Sequence, residues 1–218
     1  IGSRWNTDPK CAVLYCGIPL EPFRTAVLSE RNEVRRLYGI PIGAKVVGHA
    51  GSMGPSPVKN HSFIISIFDE LAKRDPNVFL CLAGDGPDRG LLESEVERRR
   101  LSGKVRFLGL VDDVPAIMVN LFDVHILPSL AEGLPLAGLE AVASGLYTVC
   151  SDTITADFTE EFSSRVKAIS LAAPKSLWVE EIEKGVQKRI STTLGMEVIK
   201  KQLFDIESSY ESIKTLYR

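Results

Sequence analysis

The stretch 126-ILPSLAEGLPLAGLEAVASG-145 decides how this chain is read. It begins as the end of a short apolar run, 122-FDVHILP-128, breaks at Pro128-Ser129, and resumes as an Ala- and Leu-rich segment behind Pro135, which suits the first turn of a helix. A buried strand that hands over to a helix within a few residues is one unit of an α/β sheet. Four more runs of the same kind, 46-VVGHA-50, 77-NVFLCLAG-84, 105-VRFLG-109 and 146-LYTVCS-151, read as further buried parallel strands. Ile64, Ile67, Phe68 and Leu71 recur at i, i+3, i+4 and i+7, and Leu91, Leu92 and Val96 give a second apolar stripe, so covering helices lie between the strands. The expected fold is a Rossmann-like doubly wound parallel sheet with helices on both faces, whose ligands bind beyond the carboxyl ends of the strands. Leu203, Ile206, Tyr210, Ile213 and Tyr217 predict a last amphipathic helix over about 195–218, with a stripe that must be buried against something, a partner domain included.

Composition sets the outer limits. The 218 residues form a single domain, 1–218, in which about 1–12 read as a linker, and no Pro/Gly-rich boundary interrupts the middle. A net charge of -2 argues against a nucleic-acid-binding face. Arg98-Arg99-Arg100 follow Glu93, Glu95 and Glu97, and a Glu95–Arg99 pair at helical spacing makes them a solvated helix face. No apolar run approaches the roughly 18 residues of a membrane span. Cys11, Cys16, Cys81 and Cys150 are far apart, three of them within apolar runs, and indicate neither a zinc site nor a disulfide framework. With no signal peptide at the start, the expected compartment is the cytoplasm.

Three loops could carry chemistry. In 51-GSMGPSPVKN-60, Gly51 and Gly54 admit a ligand to the backbone, Asn60 is placed to cap a helix, and Lys59 adds a charge where free N–H groups gather. That suits a diphosphate, although the Walker pattern is absent; a plain surface loop is the alternative. The second loop, 84-GDGPDRG-90, has a loose likeness to a dinucleotide fingerprint and reads as a tight turn leading into a helix with Pro87 in its first turn. In the third, 132-EGLPLAGLE-140, Glu132 lies just outside a helix and Glu140 inside it. Eight positions at helical rise span about 12 Å. That is roughly the reach from a sugar across a diphosphate to a ribose, with the phosphates over the helix start. Ionised glutamates accept hydrogen bonds from vicinal hydroxyls.

Read in order, HAGSMGPSPVKN, LAGDGP, VRFLGLVDDVP and ILPSLAEGLPLAGLEAVASG resemble the signature segments of the C-terminal domain of GT-B retaining glycosyltransferases, glycosyltransferase family 4 (glycosyl transferases group 1), from about Tyr15 to Asp152. YCGIPLEPF is similar to the segment that opens that domain. The resemblance implies a hexosyl transferase using a nucleoside diphosphate sugar, with UDP favoured over GDP, no metal and no other cofactor. It gives Lys59 and Glu132 the catalytic places and makes Gly51, Ser52, Lys59, Leu110, Val111, Glu132, Gly133, Leu134, Pro135 and Glu140 the donor site. In it Lys59 meets the diphosphate, backbone near Leu110 and Val111 the base, Glu140 the ribose and Glu132 the sugar, while backbone around Gly133, Leu134 and Pro135 completes the cradle.

The likeness also implies partners: an N-terminal domain with the acceptor site and a catalytic histidine, a glycan or lipid-linked acceptor, a polysaccharide route, and peripheral attachment to the inner face of the membrane through that domain. None of His49, His61 and His125 fills the histidine role. Without the N-terminal domain the chain is expected to bind donor but not complete the transfer. The family usually places an arginine after the first-loop glycine, where this chain has Ser52; Arg24, Arg89 and Arg106 are candidate substitutes. Rival readings are a non-catalytic nucleotide-sugar-binding module, a GT-B epimerase and, from GDGPDRG, an NAD(P)-dependent oxidoreductase.

Overall fold

The computed structural model describes residues 14–26, 31–55 and 57–216. Six parallel strands, β1 (Lys45–Ala50), β2 (Val78–Ala83), β3 (Val105–Gly109), β4 (Val124–Leu127), β5 (Tyr147–Ser151) and β6 (Val166–Ile169), stand in the order β3-β2-β1-β4-β5-β6. All five runs read as strands from the sequence are present, and the doubly wound sheet is confirmed. The shorter, less apolar β6, VKAI, carried no signal strong enough to be recognised.

Strand residues alternate between two cores. Val47, Leu80, Leu82, Val124, Ile126 and Val149 face α3 (His61–Arg74), α4 (Arg89–Arg98) and α8 (Lys175–Val186) around the fully buried Trp178. Val46, Ala50, Phe79 and Cys81 face the other way, towards α5 (Val114–Asn120) and α6 (Leu136–Ala143). On that side Phe122 lies against Gly48, where a Cβ would stand 2.1 Å from the ring. Near β5 and β6, Leu139, Phe158, Phe162 and Phe204 join α6 to α7 (Ala156–Thr159) and α9 (Thr192–Lys201). At the amino end of β4, Asp123 accepts from Arg35 (2.7 Å) and from Val46 N (2.8 Å), fixing α2 (Arg31–Leu37), which follows the short α1 (Glu21–Thr25), away from the loops of interest.

Several local expectations are corrected. Leu91 is 71% exposed, so the apolar stripe of α4 is Leu92 and Val96 alone. The arginines behind it stay at the surface. Arg99 pairs with Glu95 as expected but also reaches Asp69 on α3 at 3.1 Å, tying the two helices together. Of the cysteines, Cys81 and Cys150 sit buried in β2 and β5, where burial pushes both thiols up to about 12. Cys16 is exposed outside the sheet, and Cys11 lies outside the described residues.

The single helix expected over 195–218 is two, α9 and α10 (Ile206–Leu216). The break has a tertiary cause: the backbone of Ile18 accepts from Ile206 N and donates to Phe204 O, pinning residues 204–206 as an extended crossing. Gly17 is required there, since a Cβ would stand 2.3 Å from the Asp205 carbonyl. Leu203 turns with a φ of 60° and is exposed, while Ile206, Tyr210 and Ile213 remain largely exposed along α10. Tyr217 and the linker expected at about 1–12 lie outside the described residues.

Candidate functional site

In the order β3-β2-β1-β4-β5-β6 the direction of winding reverses between β1 and β4. The loops leaving the carboxyl ends of those two strands flank this switch point, the place where ligands of doubly wound sheets bind. They are the segments carrying Lys59 and Glu132. Lys59, at the end of a 3-10 turn (Pro57–Lys59), donates from Nζ to Glu132 Oε1, and Ser129 Oγ donates to the same oxygen at 3.0 Å. The first and third loops are further joined by Leu130 N to Val58 O (2.7 Å) and Asn60 Nδ2 to Pro128 O (3.1 Å).

That last bond corrects the capping expectation. Asn60 occupies the cap position of α3 in a left-handed conformation, φ 57°, but its side chain holds the other loop instead of the helix. Similarly, Pro135 precedes α6 rather than opening it, and Pro87 lies two residues ahead of α4. Residues 132–135 are not helical, so the Glu132-to-Glu140 separation is not a uniform helical rise. Pro135 has no N–H to offer. The donors at this helix start that find no partner among the described residues belong to Leu136 and Ala137, beside exposed Gly133 and half-buried Leu134.

Glu140 stands on α6, half-buried, and among the described residues no donor reaches its carboxylate; burial raises its pKa. A desolvated, unpartnered carboxylate is an acceptor awaiting a donor. The backbone beneath Glu132 is held by hydroxyls at the end of β5 and in the loop after it. Thr153 Oγ1 (2.6 Å) and Ser151 Oγ both donate to Ser129 O, and Thr155 Oγ1 donates to Gly133 O. Sequence reasoning missed this clamp, because the hydroxyls come from 22 or more positions downstream. The run Ser151-Asp152-Thr153 at a strand's carboxyl end was its one local trace.

Beneath Lys59 lie the three histidines. The His49 and His125 rings are fully buried and stacked 6.2 Å apart, and His61 meets His49 edge-on at 4.9 Å. His49 Nδ1 donates to Ile126 O at 2.9 Å, and His125 Nδ1 reaches Thr148 Oγ1 at 3.4 Å. Burial, and after it the neighbouring positive and imidazole groups, lower all three pKa values, His125 to about 3. They are neutral packing groups at neutral pH.

The second loop is more than a turn. Met53 N donates to Asp85 O (2.9 Å), Asp88 N to Met53 O (3.0 Å) and Gly84 N to Gly109 O (2.8 Å), so the loops after β1, β2 and β3 form one sheet of backbone contacts. Ser52 is exposed at its edge, and half-buried Gly51 packs on Lys59 and His49. Leu110 projects from the third of these loops, 83% exposed, next to half-buried Val111. Of the candidate substitute arginines, Arg24 pairs with Glu21, and Arg106 donates to the carbonyls of Tyr38 and Gly39. Arg89 alone stands at the carboxyl edge, beside Gly109. Among the described residues no group of three His, Cys, Asp or Glu is placed to hold a metal ion, and no helix is long and apolar enough to cross a membrane.

The chain is a Rossmann-like α/β unit, with a lysine, two carboxylates and a helix start gathered around the switch point of its doubly wound sheet. The chain belongs to the glycosyl transferases group 1 family, whose model matches residues 44–188. It is 37% identical over 151 residues to the putative glycosyltransferase EpsF of Bacillus subtilis, covering 69% of this chain and 38% of that protein. It is 29% identical over 149 residues to an Escherichia coli UDP-Gal:alpha-D-GlcNAc-diphosphoundecaprenol alpha-1,3-galactosyltransferase, covering 66% of this chain and 38% of the relative. The chain thus spans less than two fifths of these relatives. Among solved structures it superposes on Anabaena HepE in complex with UDP with a TM-score of 0.78 at 21% identity, covering 95% of this chain and 57% of that one. A glycosyltransferase from Rickettsia africae gives 0.79 at 13% identity, covering 94% and 56%. Both neighbours share the fold.

Proposed function

We propose that this chain is the donor-binding, C-terminal half of a retaining glycosyltransferase that moves a hexosyl group from a nucleoside diphosphate sugar, UDP favoured, to an acceptor hydroxyl supplied with an N-terminal domain. The reading is carried by one observation: Lys59 and Glu132, expected to meet the diphosphate and the sugar, converge across the switch point. Donor binding replaces the Lys59–Glu132 contact, with phosphate oxygens taking Lys59 and sugar hydroxyls taking Glu132. Backbone N–H groups of Gly133, Leu134, Leu136 and Ala137 line the phosphate path, and the start of α6 adds its positive dipole end. Charge accumulates on the departing diphosphate in the transition state, so these fixed donors lower the barrier without a metal. Glu140 accepts from the ribose hydroxyls. By itself the chain holds donor and does not complete transfer.

Calorimetric titration with UDP tests the site. Glu140→Ala is expected to weaken UDP at least about tenfold, the value of hydrogen bonds to a charged acceptor, and undiminished affinity would remove Glu140 from the site. Lys59→Ala is expected to lower UDP affinity by about tenfold to a hundredfold while leaving uridine binding unchanged. A loss shared equally by uridine would move Lys59 away from the phosphates. Exposed Ser52, with Arg24 and Arg106 engaged elsewhere, favours a second reading: a binding module without transfer activity. Donor binding without sugar transfer when the chain is joined to its N-terminal half would select that module.

A further inference from the structure

We propose that Arg89 reads the nucleobase, selecting a ring with a carbonyl oxygen at its exposed edge, as in uracil, over one with an amino group there, as in cytosine. The inference rests on the donor-site reading above and deepens it. Arg89 is the first residue of α4, and its guanidinium is fixed from three sides: Nε donates to Glu93 at 2.7 Å, Nη1 to Asp85 at 3.2 Å, and the group lies 5.8 Å from the centre of the Phe107 ring. Among the described residues Nη2 has no partner. This held cation abuts the start of the loop after β3, since a Cβ placed on Gly109 would be 3.5 Å from Nη1.

The loop beyond Gly109 is anchored at both ends. Gly109 O accepts from Gly84 N, Gly109 turns with a φ of 72°, and Asp113 caps α5 by accepting from Ala116 N at 2.9 Å. Between the anchors Leu110 holds an apolar side chain 83% exposed, beside half-buried Val111. A flat heterocycle laid on Leu110 removes that apolar surface from water and brings its rim to the guanidinium. Arginine offers only donors and never loses its charge, so it rewards a ring carbonyl and rejects a ring amine. A site built to hydrogen-bond one group discriminates strongly against the analogue that lacks it.

UDP and CDP carry the same ribose and diphosphate and differ along one edge of the base, where uracil has a carbonyl at position 4 beside N3–H and cytosine an amine beside a bare N3, so the Arg89 variants assign any preference to this contact. Calorimetric titration of the protein is expected to give UDP binding at least about tenfold tighter than CDP binding. In Arg89→Leu, UDP is expected to fall to the CDP level while CDP changes less than about twofold. Arg89→Gln, which keeps one amide donor, should recover part of the preference and guards against a folding defect in the leucine variant. Equal UDP and CDP affinities in the unaltered protein, or full UDP preference in Arg89→Leu, would overturn the assignment. If UDP binding is weakened by Glu140→Ala but indifferent to Arg89, this inference fails and the donor-site reading stands; if neither nucleotide binds, both fail.

Discussion

Replacing Gly84 by alanine is expected to lower stability by about 2–6 kcal/mol and UDP affinity with it. Gly84 has a φ of +132°, a region that L side chains rarely adopt, and a Cβ there would stand 2.1 Å from the carbonyl oxygen of Gly51. The obstacle is backbone on both sides, so no side chain can rotate away. Strained backbone contributes about 1–3 kcal/mol and overpacking about as much again. Relief requires the loops after β1 and β2 to separate, breaking the bonds from Gly51 N to Ala83 O (2.9 Å) and from Met53 N to Asp85 O (2.9 Å). Lys59 would lose its position in the process. For a chain of this size the melting temperature should fall by roughly 5–20 °C. Gly54→Ala is the control: nothing stands within 4 Å of its Cβ, and little change is expected. Equal melting temperatures for the Gly84 and Gly54 variants would mean that the two loops do not meet as described.

The second large effect is an acid-induced loss of stability well above the range in which carboxylates protonate. His49 and His125 are fully buried and neutral in the folded chain, His125 with its pKa lowered from 6.5 to about 3 and His49 lowered in the same direction, while in the unfolded chain each titrates normally. The unfolded state therefore binds more protons as pH falls through about 6.5. The stability present above that value is lost progressively below it, down to the folded pKa, at about 1.4 kcal/mol per pH unit for each histidine. Between pH 6.5 and pH 5, His125 alone accounts for roughly 2 kcal/mol. Glu140, with its raised pKa, acts in the opposite direction, while Asp69, Asp75 and Glu181, with lowered values, add their losses only below the unfolded carboxylate range. Urea denaturation at pH 7.5, 6 and 5 measures the slope. His125→Leu should flatten it by about one proton, and a stability independent of pH across this interval would show that the imidazoles are hydrated.

Much of the fold was legible from local pattern. Five of the six strands are short apolar runs, α3 and α4 carry apolar residues at helical spacing, and α6 follows Pro135, signals dense enough to assign from the chain alone. Lys59, Glu132 and Glu140, the proposed site residues, stood out because the segments that carry them follow strand ends, and a strand end is a sequence-visible event. What was not legible depended on contacts between distant segments. The helix expected over 195–218 is interrupted by hydrogen bonds from Ile18, almost two hundred residues upstream, which outweigh the local helical preference of Leu203 and its neighbours. Asn60 looked like a helix cap and spends its amide on Pro128 instead.

The sequence by itself thus determined the class of the chain, the order of its elements and the residue types at its carboxyl edge, because burial periodicity and turn chemistry act over a few residues. The tertiary structure decided which of those residues meet. It set Lys59 on Glu132, placed the hydroxyls of Ser151, Thr153 and Thr155 under that pair, and brought Arg89 to Gly109. The physical reason is the parallel sheet: every connection crosses a helix before returning, so neighbours at its carboxyl edge are separated by tens of residues and become neighbours only once strand order and register are fixed.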